Sequence, residues 1–207
     1  MIVQDYDDDK IFPAYGFGAK LPNGQVSHHF PLNLNTGEPE MFDLPQILKN
    51  YWNCVSKVEL WGPTNFSPTI KKVVDQATSA QRNFMNERTR DYSVLLILTD
   101  GAITDMDETV KQIEKAQKLP ISIIIVGVGN ADFSSMELLD GDGGNNGFSN
   151  VRDCVQFCSY SEVENKFQGN MTDANVFNQI KETLAAKVLE ELPKQLETYM
   201  KMNHPSI

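Results

Sequence analysis

Basic side chains are scarce in this sequence: 18 Lys and Arg stand against 28 Asp and Glu, a formal net charge of −10. Nucleic-acid binding needs clustered Lys and Arg against phosphate, and docking on anionic lipid uses the same charges, so neither partner is expected. An acidic surplus suits cations, but a solvated surface explains it as well. Cysteine is also sparse: Cys54, Cys154 and Cys158. An odd, scattered set builds no disulfide framework, and no second pair completes a zinc site around Cys154 and Cys158. All three read as reduced thiols of a cytosolic protein. Long apolar runs are missing. Val94–Leu98 and Ile123–Val126 are far too short to span a bilayer. The opening MIVQDYDDDK has neither the basic start nor the apolar middle of a signal peptide.

Catalytic constellations are missing too. There is no GxSxG, no HExxH, no phosphate-cradling GxxxxGK[ST] and no Cys–His spacing that suggests a nucleophile with its base. The chain therefore reads as no enzyme. Gly127-Val128-Gly129 lacks the third glycine of a dinucleotide fingerprint. Asp140–Gly147, DGDGGNNG, begins like a calcium loop, but its glycine falls one place early and Val151 stands where the bidentate glutamate belongs.

Against these absences, 207 residues with 41% hydrophobic and 22% charged composition make an ordinary globular chain, read as one domain over 1–207. Its centre is Tyr92–Gly101, YSVLLILTDG. Five apolar residues without alternation predict a strand buried on both faces of a parallel sheet. The strand ends on Asp100 and a glycine that lets the chain turn. Ligands of open α/β sheets gather beyond the carboxyl ends of strands, which makes Asp100 a candidate binding residue. The plainer alternative is that Asp100 only closes the turn.

Around that stretch, Lys10–Gly18 and Val26–Leu32 read as an antiparallel pair joined through Asn23-Gly24, with Pro13 confined to an edge or bulge. His28 and His29 are adjacent, so a strand would point them apart, away from any shared metal. Leu44–Val58 carries Leu44, Ile47, Leu48, Tyr51, Trp52 and Val55 at helical spacing, a stripe that core packing would explain. Gly62-Pro63 then breaks the chain into a loop holding Thr64, and Ser67-Pro68 is placed to cap and open the next helix. Thr104 or Asp105 would cap a helix ended by Pro120, followed by a buried strand over Ile121–Gly127. Strand, helix, strand over so short a span predicts a parallel βαβ crossover. A short helix over Phe133–Leu139, a strand over Val151–Tyr160 and a helix over Asp173–Met202, broken after Leu192 by Pro193, complete the reading.

The stretches YGFGAKLP, GPTNFSP, YSVLLILTDGAITDM, LPISIIIVGVGNADFSSMELLDGD, VQF and LEELPKQLETYM resemble the von Willebrand factor A-type domain of the copines, over nearly the whole chain. The resemblance implies a doubly wound, mostly parallel α/β sheet with helices on both faces. It also implies a metal-ion-dependent adhesion site, in which Thr64 matches the threonine ligand and Asp100 the aspartate ligand. The DxSxS motif of that site has no counterpart here, and its strand, central in the family's sheet beside Val94–Leu98, would lie upstream of Met1. The expectation is thus an N-terminally incomplete domain with its central first strand missing. Mg2+ or Mn2+ is conceivable at Thr64 and Asp100, but that site is incomplete.

In function, the resemblance implies a protein-interaction module. Its target proteins are unnamed, and in its family it is associated with calcium-dependent phospholipid binding, calcium response and membrane recruitment. Calcium and phospholipid would act only through modules that this chain lacks. The implied location is cytoplasmic, with recruitment to the plasma membrane in a longer form. Two rival readings stand beside this one. The first is the substrate-binding A-type domain of a RING-type ubiquitin ligase, although no CxxC…CxxC follows. The second is a truncated product without independent function.

Overall fold

Prolines and glycines decide the amino-terminal architecture, because each removes a ladder donor or bends the chain where a strand would run. The computed structural model describes residues 7, 10–35, 41–84, 91–140, 152–167 and 173–203. They fall into two compact units, one of Met1–Thr69 with Ile103–Asp105, the other of Ile70–Ala102 with Met106–Ile207. Among the described residues of the first unit every strand is two residues long. β1 (Phe12–Pro13) pairs antiparallel with β6 (Met41–Phe42), and β2 (Tyr15–Gly16) with β5 (Phe30–Pro31). β3 (Ala19–Lys20) pairs antiparallel with both β4 (Val26–Ser27) and β7 (Glu59–Leu60). The expected long hairpin is therefore present in direction but broken into pieces. Pro13 and Pro31 cannot donate to a ladder, and Gly18 turns the chain at φ +67°. Its turn sits at Asn23-Gly24, where Gly24 has φ +83° and its N–H donates to the Leu21 carbonyl at 2.8 Å.

α1 (Leu44–Val55) starts on a capping box. Asp43 accepts from the Gln46 N–H, and the Gln46 side chain accepts from the Asp43 N–H. Its inner face sends Cys54, with Ile47 beside it, into a small core of Ala19, Phe30 and Leu32. The sequence assigns the whole apolar stripe of this helix to a core, and here the structure corrects it. Leu48, Tyr51, Trp52 and Val55 are exposed, because the short strands cover only one side of the helix. α2 (Ser67–Phe84) follows the GPTNF loop.

The second unit holds the parallel sheet, in the order β10-β9-β8: β8 (Ser93–Thr99), β9 (Ile121–Gly127) and β10 (Val155–Ser159). Both pairings are parallel, with Leu96 opposite Ile124 and Gln156 opposite Ile124 from the other side. α3 (Met106–Ala116) makes the crossover between β8 and β9, as the spacing of apolar runs predicts. β9 is buried along its whole length. β8 departs from expectation: Val94 and Leu98 are exposed, since β8 is the edge strand of this sheet among the described residues. The remaining helices are α4 (Ser134–Asp140), α5 (Tyr160–Glu164), α6 (Ala174–Leu189) and α7 (Leu192–Asn203). They flank the sheet in the manner of a doubly wound α/β fold. The long carboxyl-terminal helix breaks at Glu190–Glu191, and Pro193 sits in the first turn of α7, where its missing N–H costs nothing.

One buried cation ties this unit together. Arg152 is 4% exposed and no carboxylate among the described residues pairs with it. Its guanidinium donates to the carbonyls of Gln117, Leu119, Ile121 and Gln195 and to the Tyr92 hydroxyl, at 2.7 to 3.3 Å. The Ser122 hydroxyl extends the network, 2.7 Å from the Tyr92 hydroxyl and 2.6 Å from Gln195 Oε1. The end of α3, the starts of β8 and β9, and α7 thus share one set of polar contacts.

Candidate functional site

Thr64 lies in the first unit, on the loop between β7 and α2, where the Gly62–Pro63 peptide is cis. That loop is held by the segment Ile103–Asp105. The Thr104 N–H and hydroxyl both donate to the Thr64 carbonyl, at 2.9 and 3.0 Å, and the hydroxyl also reaches Asn65 Oδ1 at 2.8 Å. Asp105 accepts from the Phe66 N–H at 3.0 Å and the Ser67 N–H at 2.9 Å. Its carboxylate therefore satisfies the open donors at the start of α2, a stabilising place for negative charge. The sequence gives this cap to Ser67, but Ser67 is already the first helical residue, and the cap comes from far along the chain. Phe66 anchors the loop from below, 1% exposed and edge-on to Phe17 at 5.6 Å. The loop's backbone is thus spent on holding its shape. The half-buried Thr64 hydroxyl makes no hydrogen bond among the described residues.

Asp100 lies in the second unit, one residue beyond β8. The plainer role foreseen for it, closing the turn, belongs to its neighbour. Thr99 Oγ1 donates to the Gly101 carbonyl at 3.1 Å and accepts from the Gly101 N–H at 3.4 Å. The Thr99 carbonyl is taken by the Val128 N–H at 2.8 Å. Asp100 is left exposed, and its carboxylate forms no hydrogen bond or ion pair among the described residues.

A hydroxyl and a carboxylate are hard oxygen donors of the kind Mg2+ and Mn2+ take. Each fits such an ion in kind. Among the described residues, no group of three or more His, Cys, Asp or Glu could hold a metal.

Other candidates are accounted for structurally. Asp140, the first residue of the calcium-like loop, is buried and accepts from the Phe157 N–H at 2.9 Å. Residues 141–151, which carry the rest of that motif, lie outside the described residues. His29 Nδ1 sits 3.1 Å from Thr69 Oγ1 and its ring packs on Tyr15. All three cysteines are free and buried. Burial pushes the Cys154 thiol up to about 12 and raises Cys54 and Cys158 as well, so none is an activated nucleophile. A cleft of about 610 Å³ lies between α2 and α3, but its charges largely offset one another, with Lys111 held by Glu108 and Lys115 by Gln112. Among the described residues no helix is long and apolar enough to cross a membrane.

Sequence reasoning singled out Thr64 and Asp100. It read Thr104 or Asp105 as the cap for α3, missed Asn65 and misassigned the capping of α2. The one available signal was the juxtaposition of Thr and Asp in ITDM, which reads locally as a cap for α3. A family model described as Copine matches residues 1–206, essentially the whole chain.

Proposed function

Because the chain belongs to the copine family, we propose that it works as a copine-type protein-interaction module without catalytic activity. Target proteins would bind the loops that carry Thr64 and Asp100, with the Asp105 segment holding the first of them in shape. The observation that carries this reading is the division of labour in those loops. Thr104, Asp105 and Thr99 take up the structural hydrogen bonds, while the Thr64 hydroxyl and Asp100 carboxylate remain unspent. Polar groups held in place by others, and not used by the fold, are what a partner can engage at little ordering cost.

Each of these loops would offer Mg2+ or Mn2+ one such oxygen, a weak hold by itself, so partner binding would not depend on a tightly held metal. Calcium-dependent phospholipid binding would belong to a longer protein carrying further modules. In such a protein this domain would bring targets from the cytoplasm to the plasma membrane.

Proximity labelling in cells tests the reading, comparing the wild-type chain with a Thr64→Ala/Asp100→Ala double variant that melts at the same temperature. A set of labelled proteins lost on the double substitution supports it. Identical sets from both chains would sink it.

A further inference from the structure

α1 is apolar on two sides. Ile47 and Cys54 enter the core of their unit, while Leu48, Tyr51, Trp52 and Val55 are 54%, 47%, 69% and 41% exposed. These four stand at i, i+3, i+4 and i+7, which on a helix is one continuous seam. The Tyr51 and Trp52 rings brace each other edge to face at 5.5 Å, so the seam is pre-formed. A contiguous, rigid, aromatic-rich patch of this kind marks an interaction surface more often than chance exposure does.

Charge indicates what covers it. Between Asp43 and Glu59 the only charged residues are those two acids with Lys49 and Lys57, and they cancel. Beside the seam, at i±3 and i±4 from its members, lie Leu44, Pro45 and Ser56, with Lys49 the one charged residue of α1. The whole net charge of −10 therefore resides elsewhere on the chain. Two copies meeting through most of their surface would bring acid against acid, whereas two copies meeting through α1 would not.

We propose that the exposed face of α1 pairs with α1 of a second copy of this chain, antiparallel about a two-fold axis. The same seam then meets itself, as an isologous contact requires. Two aromatic rings on each side, about half and two-thirds exposed, have a little over half of ~150–250 Å² apiece left to bury, roughly 350–580 Å² for the four, and Leu48 and Val55 add to it, which stays below the standard size of specific interfaces. The dimer is accordingly weak and reversible. It is independent of the reading given to Thr64 and Asp100.

Sedimentation of the 207-residue chain from low to high micromolar concentration tests this. The weight-average mass should climb towards that of two copies. Trp52→Glu should weaken association at least about tenfold, as loss of a central aromatic anchor does. Val55→Glu, at the end of the same seam, serves as a second variant should Trp52→Glu fold poorly. In a Trp61→Phe background, Trp52 emission of the otherwise unsubstituted chain should shift to the blue as concentration rises. Three results would overturn the proposal. One is a monomer mass and unshifted Trp52 emission at every concentration. Another is association untouched by the α1 variants but abolished by Leu98→Lys, which would place the contact on the edge strand β8. The third is a blue shift produced by phosphatidylcholine vesicles while the mass stays that of a monomer, which would make the face a lipid contact.

Discussion

Replacing Arg152 by methionine should cost more stability than any other single polar substitution in the second unit. Methionine keeps most of the apolar stem and deletes the guanidinium. Five acceptors then lose one donor each, four carbonyls and the Tyr92 hydroxyl, although the Leu119 carbonyl keeps the Ile121 N–H and the Tyr92 hydroxyl keeps Ser122. Hydrogen bonds to a charged group contribute ~1.5–3 kcal/mol each, and a buried polar group left without a partner costs ~1–3 kcal/mol. Two contacts, to Ile121 at 2.7 Å and Leu119 at 2.9 Å, are short, and the three at 3.1 to 3.3 Å contribute less. Against this gross loss of roughly 7–10 kcal/mol stands relief from burying an unpaired charge, several kcal/mol in the same range of burial. The hydrogen bonds win, and the net loss is about 3–4 kcal/mol. For a chain of this size that corresponds to a melting point lower by about 10 °C. A urea titration read by far-UV circular dichroism measures it as a lower midpoint at unchanged slope. Arg152→Lys, with three donors on a point charge, should fall between the two. A loss below about 1 kcal/mol for Arg152→Met would refute the reasoning, because it would mean that the acceptors find water as readily as they found arginine.

Asp105→Ala removes two charge-assisted bonds from the start of α2 and should cost about 1–2 kcal/mol in a thermal melt, with Asp105→Asn recovering part. Gly127→Ala would place a Cβ 2.9 Å from the Phe133 ring, so it should destabilise by about 1–3 kcal/mol and be relieved by Phe133→Leu in the same chain. Burial holds the Cys154 thiol up to about 12, above the ordinary value of 9.0, so its contribution to stability is complete below pH 9.0 and lost as pH rises towards 12. Melting points followed through that window should fall more steeply for the wild type than for Cys154→Ala, and parallel curves would contradict the assignment.

The parallel sheet was legible because its strands are written as uninterrupted apolar runs separated by a helical stripe. The parallel direction of β8 and β9 follows from those runs and the crossover between them, while their register and the place of β10 beside β9 come from the structure. What could not be read is whatever depends on partners distant in sequence. The cap on α2 comes from Asp105, 38 residues after Ser67, and locally that aspartate looks like a cap for α3. The exposed side of α1 could not be told from its buried side, since periodicity reports that a face is apolar and not that anything covers it. Leu98 shows the same limit: an apolar run implies burial on both faces, yet an edge strand leaves one open. At the candidate site, Asp100 was visible from its place at a strand end. That Thr99 would close the turn and free it was not, because Asp and Thr make similar turns.

The most direct measurement takes a target identified by proximity labelling, purifies it, and titrates it into the wild-type chain and the Thr64→Ala/Asp100→Ala variant, each in excess Mg2+ and again in chelator. If the two loops bind partners through their own oxygens, binding to the wild type survives the chelator and is lost in the double variant under both conditions. Binding that ignores the double substitution, or that vanishes with chelator, would contradict the account.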